Sequence, residues 1–206
     1  MNFVAYGAPS NRDENKTSSF CYNLLMQITY FVHSITQDNE KGLATGWLPG
    51  SLSEEGLKRA HVLANNLSDC DFDAVFCSDL SRAMESTEIF FRNRLPVFID
   101  WRLRECNYGE LDGLPAKDFK KNKEQDYITS PYPGGESYKD VEQRISSLID
   151  DAAVHFPEGR IAIVAHQAPQ LALDVLVKGK TWETAISEDW RKTQAWQPGW
   201  EYQISQ

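Results

Sequence analysis

Cysteine is scarce. Cys21, Cys70, Cys77 and Cys106 share no C-x-x-C spacing and fall far below the density of a small secreted disulfide scaffold. Reduced thiols in packing roles are the simplest expectation, and with them a cytoplasmic setting. Long apolar runs are missing too: the longest, from Ile161 to Val177, is interrupted by His166, Gln167, Gln170 and Asp174, short of the ~20 apolar residues a membrane helix needs. Residues 1–17 are polar, with Asp13, Glu14 and Lys16, and lack the cationic start and apolar core of a secretory signal. No Lys/Arg run exceeds a pair such as Lys120-Lys121, and 21 cationic against 30 anionic side chains leave a net charge of −9. A nucleic-acid binder needs a basic stripe, so none is expected as a partner. An anionic substrate must then be held by a local cluster of cations and N–H groups against the global field.

What is present is a composition of 41 % hydrophobic and 25 % charged residues over 206 positions, enough for one globular domain with a substantial core. Residues 1–25 show no helical or strand periodicity and are expected to be a poorly ordered extension or the product of a start codon placed too early; residues 26–206 read as a single domain. From Met26 onward short apolar runs alternate with helical patterns, the signature of a three-layer α/β/α fold with a mostly parallel sheet. Strands are expected at Ile28 to Val32, Ala74 to Cys77, Pro96 to Ile99 (an edge, from its proline), Ile161 to Ala165 (central, from its uniform apolarity) and near Glu201 to Ile204. Helices are expected from an N-cap at Ser53 to about Leu67, from about Ser81 to Phe91, from Ser137 to about Phe156 with Asp140 completing a capping box, and from about Pro169.

Ligands of open α/β sheets bind beyond the carboxyl ends of the strands. The polar residues placed there are His33, then Ser78 to Arg82, then Arg102, Arg104 and Glu105, then His166. Two histidines, an arginine and a glutamate on one edge suit transfer of a phosphoryl group from a monoester. A neutral imidazole attacks phosphorus and splits one hard hydrolysis into two easier steps. An arginine and a second histidine stabilise the equatorial oxygens, and a glutamate held protonated beside the dianion gives its proton to the leaving alkoxide and then serves as base toward water. No metal and no cofactor are required.

Six stretches carry a resemblance: His33-Ser34-Ile35-Thr36-Gln37-Asp38-Asn39; Gly46 through Leu52-Ser53-Glu54-Glu55-Gly56; Phe72 through Ser78-Asp79-Leu80-Ser81-Arg82-Ala83; Leu103-Arg104-Glu105 with Gly109; Gly134-Gly135-Glu136-Ser137; and Ile161 to His166. In this order they resemble the histidine phosphatase superfamily, with its phosphoglycerate mutase-like fold. The resemblance implies the nucleophile at His33, a phosphate-binding arginine at Arg82, the acid/base at Glu105 and the second histidine at His166. It further implies substrate contacts from Asn39, Ser34, Gln167 and Arg104.

The departures matter as much. Val32 stands where the family has an arginine before the nucleophile, Ser34 and Gln167-Ala168 stand where it has glycines, and Pro49 stands where it has an aspartate. Two compensations are open at this point: Arg102, Arg104 or a lysine in the place of the missing arginine, or a substrate less anionic than those of other members. A hydrogen bond to a charged group is worth about 1.5–3 kcal/mol, so its loss weakens catalysis without abolishing it. The expected function is a metal-independent phosphomonoester hydrolase on a small phosphorylated metabolite, working through phosphohistidine as a monomer or homodimer. Mutase activity is less favoured, because the segment between Glu105 and Gly134 is short. The alternatives are a weak or inactive pseudo-phosphatase that binds a phosphorylated ligand or protein and, ranked lowest, a His/Glu metallohydrolase, for which no H-E-x-x-H pair exists. His61 and His155 are read as structural, and the tryptophans Trp182, Trp190, Trp196 and Trp200 as packing residues.

Overall fold

The computed structural model describes residues 25–67, 71–92, 94–119, 124–193, 195 and 197–205. Apart from Leu25, the expected extension lies outside the described residues, as do Cys21, Cys70, the Lys120-Lys121 pair and Trp196. Five strands form one sheet in the order β3-β2-β4-β1-β5: β1 (Leu25–Val32), β2 (Ala74–Cys77), β3 (Val97–Ile99), β4 (Arg160–Ala165) and β5 (Trp200–Ser205). The first four pair in parallel, and β5 closes the sheet antiparallel to β1.

β4 is central, as its apolarity demands, and its side chains divide by the two-residue period of a strand. Ile161, Ile163 and Ala165 pack beneath α5 (Tyr138–His155) and α6 (Gln167–Lys178), whereas Ala162 and Val164 join Phe90, Phe91 and Ala60 on the side of α2 (Glu54–Asn66) and α3 (Ser81–Phe91). This is the expected three-layer arrangement; the shorter helices are α1 (Gln37–Glu40), α4 (Ala116–Phe119), α7 (Trp182–Ser187) and α8 (Trp190–Thr193). Ser53 caps α2 through the Gly56 amide, and Ser137 with Asp140 forms the capping box of α5. β3 lies at the edge with all three side chains exposed.

Two boundaries differ from expectation by two residues or more. β1 begins at Leu25 rather than Ile28, because Leu25 to Tyr30 pair with Ser205 to Trp200, contacts no local pattern encodes. α6 begins at Gln167, two residues before Pro169. A proline at the third helical position removes an N–H that has no partner within the helix, so the chain turns helical as soon as β4 ends at the site edge.

Gly56 fixes the approach of α2 to the segment after β1. A Cβ there would sit 1.9 Å from the Ile35 carbonyl oxygen, and the Gly56 carbonyl accepts the Ser34 hydroxyl at 2.7 Å. Gly56→Ala is expected to destabilise the protein by about 1–3 kcal/mol, read as a lowered urea midpoint; an unchanged midpoint would show that this approach is not tight.

Candidate active site

His33 follows β1 directly, its amide donating to Ala165 at 3.0 Å. Its Nδ1–H donates to the Ser34 carbonyl at 2.7 Å, which assigns the proton to Nδ1 and leaves Nε2 with a lone pair. Among the described residues Nε2 has no protein partner. Burial, then the nearby Arg82 charge, hold the imidazole pKa down at about 3, so His33 is neutral near pH 7.

His166 is fully buried and packs against His33 with ring centroids 5.0 Å apart. Tyr30 grips its backbone on both sides: the phenol donates to the His166 carbonyl at 2.6 Å and accepts from its amide at 3.0 Å. Nε2 lies 2.9 Å from the Ser78 hydroxyl, whose oxygen accepts the Leu80 amide and whose O–H is left to donate to Nε2, so that the imidazole proton sits on Nδ1. Nδ1 is buried without a hydrogen-bond partner among the described residues. Burial and the Arg82 charge push its pKa well below the usual histidine range.

Arg82, only 2 % exposed, comes from the first turn of α3. Its guanidinium donates to the carbonyls of Leu48 at 3.0 Å, Gly46 at 2.7 Å and Thr45 at 3.4 Å, and so carries the loop that wraps the site. Asp112 holds the same loop from below, accepting the amides of Gly46 and Trp47.

Glu105 is buried, and its carboxylate accepts the amides of Gln167 at 3.0 Å and Ala168 at 2.9 Å, the first two of α6, along with that of Cys106 at 2.9 Å. An acid on a helix N-terminus uses donors that have no intrahelical acceptor and meets the positive end of the helix dipole. Arg144 of α5 ties the segment down from beneath: it donates to the carbonyls of Arg102 and Glu105 and pairs with Glu136 of the Gly-Gly-Glu turn.

His33, Arg82, Glu105, Asn39 and Gln167 line one cavity of about 400 Å³, together with Val32, and His166 stands against His33. Asn39 also accepts the Thr36 amide, closing the capping box of α1 (Gln37–Glu40). Ser34 and Arg104 lie outside the cavity wall. Ser34 staples the loop after β1 to α2 and, through its amide, to Ser86 of α3. Arg104 forks onto Asp79 with contacts of 2.8 and 2.6 Å and stacks over Trp47. Arg102 is likewise engaged, by Asp100 and Asp151, so neither fills the position opposite Val32. Burial pushes the Cys77 thiol up to about 11 and raises that of Cys106, which leaves both as packing groups.

A profile of the histidine phosphatase superfamily (branch 1) matches residues 31–197. The chain belongs to this superfamily. It is similar to the 2,3-bisphosphoglycerate-dependent phosphoglycerate mutase of Staphylococcus epidermidis, at 33 % identity over 47 % of this chain and 45 % of that protein, so it matches under half of that relative's length. The protein of the same description from Mesorhizobium japonicum is 32 % identical over 75 % of this chain and 82 % of its own. The solved structure of the alpha-ribazole phosphatase from Shigella flexneri superposes with a TM-score of 0.70 at 27 % identity, covering 78 % of this chain and 84 % of that one.

Within this histidine phosphatase fold, no sequence motif marks Tyr30, Arg144, Thr45 or Arg191, and Trp190, expected to pack, also lines the cavity. The placement of Glu136 just before the N-cap Ser137, eight residues ahead of Arg144 in the helix that follows, is a usable signal for Arg144. Tyr30 lay hidden in an apolar run, and Trp190 and Arg191 lie far from any motif. Among the described residues no three His, Cys, Asp or Glu side chains cluster as metal ligands, and no helix is long and apolar enough to cross a membrane.

Because both histidines are held neutral in the folded chain, the unfolded chain binds the extra protons below pH 6.5. Stability is therefore expected to fall between pH 7 and pH 5, with at most about 1.4 kcal/mol per pH unit from each histidine. His33→Gln is expected to flatten that dependence in urea titrations; equal slopes for wild type and variant would contradict a buried neutral His33.

Proposed function

We propose that this protein hydrolyses a small phosphomonoester without a metal, by way of a phosphohistidine at His33. The observation that carries the reading is the Nδ1–H bond from His33 to Ser34, which leaves Nε2 as a nucleophile in a cavity shared with Arg82 and Glu105. In the first step Nε2 attacks phosphorus and the bond to the alcohol oxygen breaks, its electron pair staying on that oxygen. Glu105 gives the oxygen its proton: Oε2, which accepts one N–H, keeps a lone pair for it. In the second step the Glu105 carboxylate takes a proton from water, the resulting hydroxyl attacks phosphorus, and the P–N bond breaks to release orthophosphate and neutral His33. Arg82 and the unpartnered Nδ1 of His166 supply donors to the phosphoryl oxygens as charge spreads over them.

A second reading, a binder of phosphorylated ligands with little turnover, is favoured by one observation: the cavity wall holds Val32 where the family resemblance places an arginine. An aryl phosphate and a panel of small phosphomonoesters, assayed with EDTA between pH 5 and 8, separate the two. Wild type is expected to turn over and His33→Ala to lose at least about 10³-fold in kcat. A wild type that is silent while Val32→Arg gains activity supports the second reading, and activity abolished by EDTA contradicts metal independence.

A further inference from the structure

The charges around the cavity do not balance in favour of a dianion until one further residue is counted. Four formally charged side chains line it: Arg82, Glu105, Glu124 and Arg191. Arg82 and Glu105 offset each other, and Glu124 is paired with Lys192 at 2.5 Å. Arg191 is the cation that remains, on α8 (Trp190–Thr193), more than a hundred residues along the chain from Arg82.

The Arg191 charge has a buried counter-charge in Asp189, an ion pair at 3.6 Å, but its guanidinium N–H donors are left unused among the described residues. Its guanidinium stacks on the Trp190 ring at 4.5 Å, and its amide donates to buried Asp189 at 3.1 Å. The nearest guanidinium-to-carboxylate approach, also to Asp189, is 3.6 Å, beyond hydrogen-bonding distance. That aspartate's other oxygen accepts the side-chain amide of Gln167, itself in the cavity wall. Among the described residues the Arg191 guanidinium therefore makes no hydrogen bond, whereas those of Arg82, Arg102, Arg104 and Arg144 are all engaged. Two more groups in the same wall lack partners: the Thr45 hydroxyl and the Trp190 indole N–H are buried without acceptors among the described residues. Buried donors in native proteins are normally satisfied, so these two mark a stretch of the wall whose polar groups the chain itself leaves unpaired.

We infer that Arg191 is the second phosphoryl-binding cation of this site, delivered from the C-terminal quarter of the chain and presented by its stack on Trp190. The inference rests on the phosphomonoester reading of the cavity and adds to it the residue that makes a dianion welcome in a protein of net charge −9. Consistent with this placement, the Arg191 charge opposes protonation of both His33 and His166. A planar guanidinium can meet two phosphoryl oxygens at once, which an ammonium cannot.

The test is binding of inorganic phosphate by calorimetry, together with kcat and KM for an aryl phosphate, in wild type, Arg191→Met, Arg191→Lys and the exposed control Arg59→Met. Arg191→Met is expected to weaken phosphate binding by about tenfold to a hundredfold and to raise KM, with the urea midpoint unchanged. Arg191→Lys is expected to recover part of the loss, and Arg59→Met to match wild type. Wild-type phosphate affinity in Arg191→Met overturns the inference, as does a wild type that binds no phosphate, or equal losses in both Arg191 variants accompanied by a lowered midpoint. Phosphate binding that depends on Arg191 in a wild type without turnover leaves this inference standing and defeats the hydrolase reading; turnover and phosphate affinity indifferent to Arg191 do the reverse.

Discussion

A buried guanidinium with no carboxylate bonded to it, among the described residues, is the constraint around which this molecule is arranged. Burying an unpaired charge is costly, and Arg82 is made tolerable by three backbone carbonyls from a single loop, so the loop cannot leave without stranding the charge. That cation then acts twice. Added to burial, which is the larger cause, it opposes protonation of both neighbouring histidines and so helps to keep an imidazole lone pair available at neutral pH, and it keeps positive charge at the cavity of an acidic protein. Burial lowers the pKa of Arg82, and an arginine guanidinium stays charged in proteins.

The sheet supplies the second requirement, which is position. β1 and β4 run side by side and in parallel, with Val32 opposite Ala165, so His33 and His166 leave the same sheet edge at the same height. The switch from β4 to α6 leaves helical amides with no acceptor of their own, and Glu105 takes two of them. One carboxylate thus caps a helix, anchors its own loop and faces the cavity. Arg144 reinforces it from α5, so α5, α6 and its own loop converge on Glu105.

Much of this was legible beforehand, and the parts that were not share a cause. Strands β2 and β4, helices α2 and α3, and the capping box at Ser137 follow from periodicity and cap chemistry, which are local. The gathering of His33, Arg82, Glu105 and His166 follows from the rule that polar residues after parallel strands share an edge. Arg104 illustrates the limit: its position beside Glu105 suggests a substrate contact, but Asp79, twenty-five residues earlier, takes its guanidinium. Tyr30 alternates with core residues and reads as one, since nothing local says that its hydroxyl will bridge the His166 backbone. The start of β1 and the approach of α8 to the cavity depend on pairing with distant chain, which composition and spacing do not encode. The departures at Val32 and Gln167 were visible at once, but what compensates for them is a matter of tertiary structure: Gln167 bonds Asp189, the residue that positions α8.

The most direct test of this account is capture of the covalent species. Substrate labelled in its phosphoryl group, mixed rapidly with enzyme and quenched in alkali, is predicted to leave one acid-labile, alkali-stable phosphoryl group on His33, more of it in Glu105→Gln if the acid activates water in the second step. A label that is acid-stable, sits on another residue, or never accumulates in either protein during turnover would contradict it.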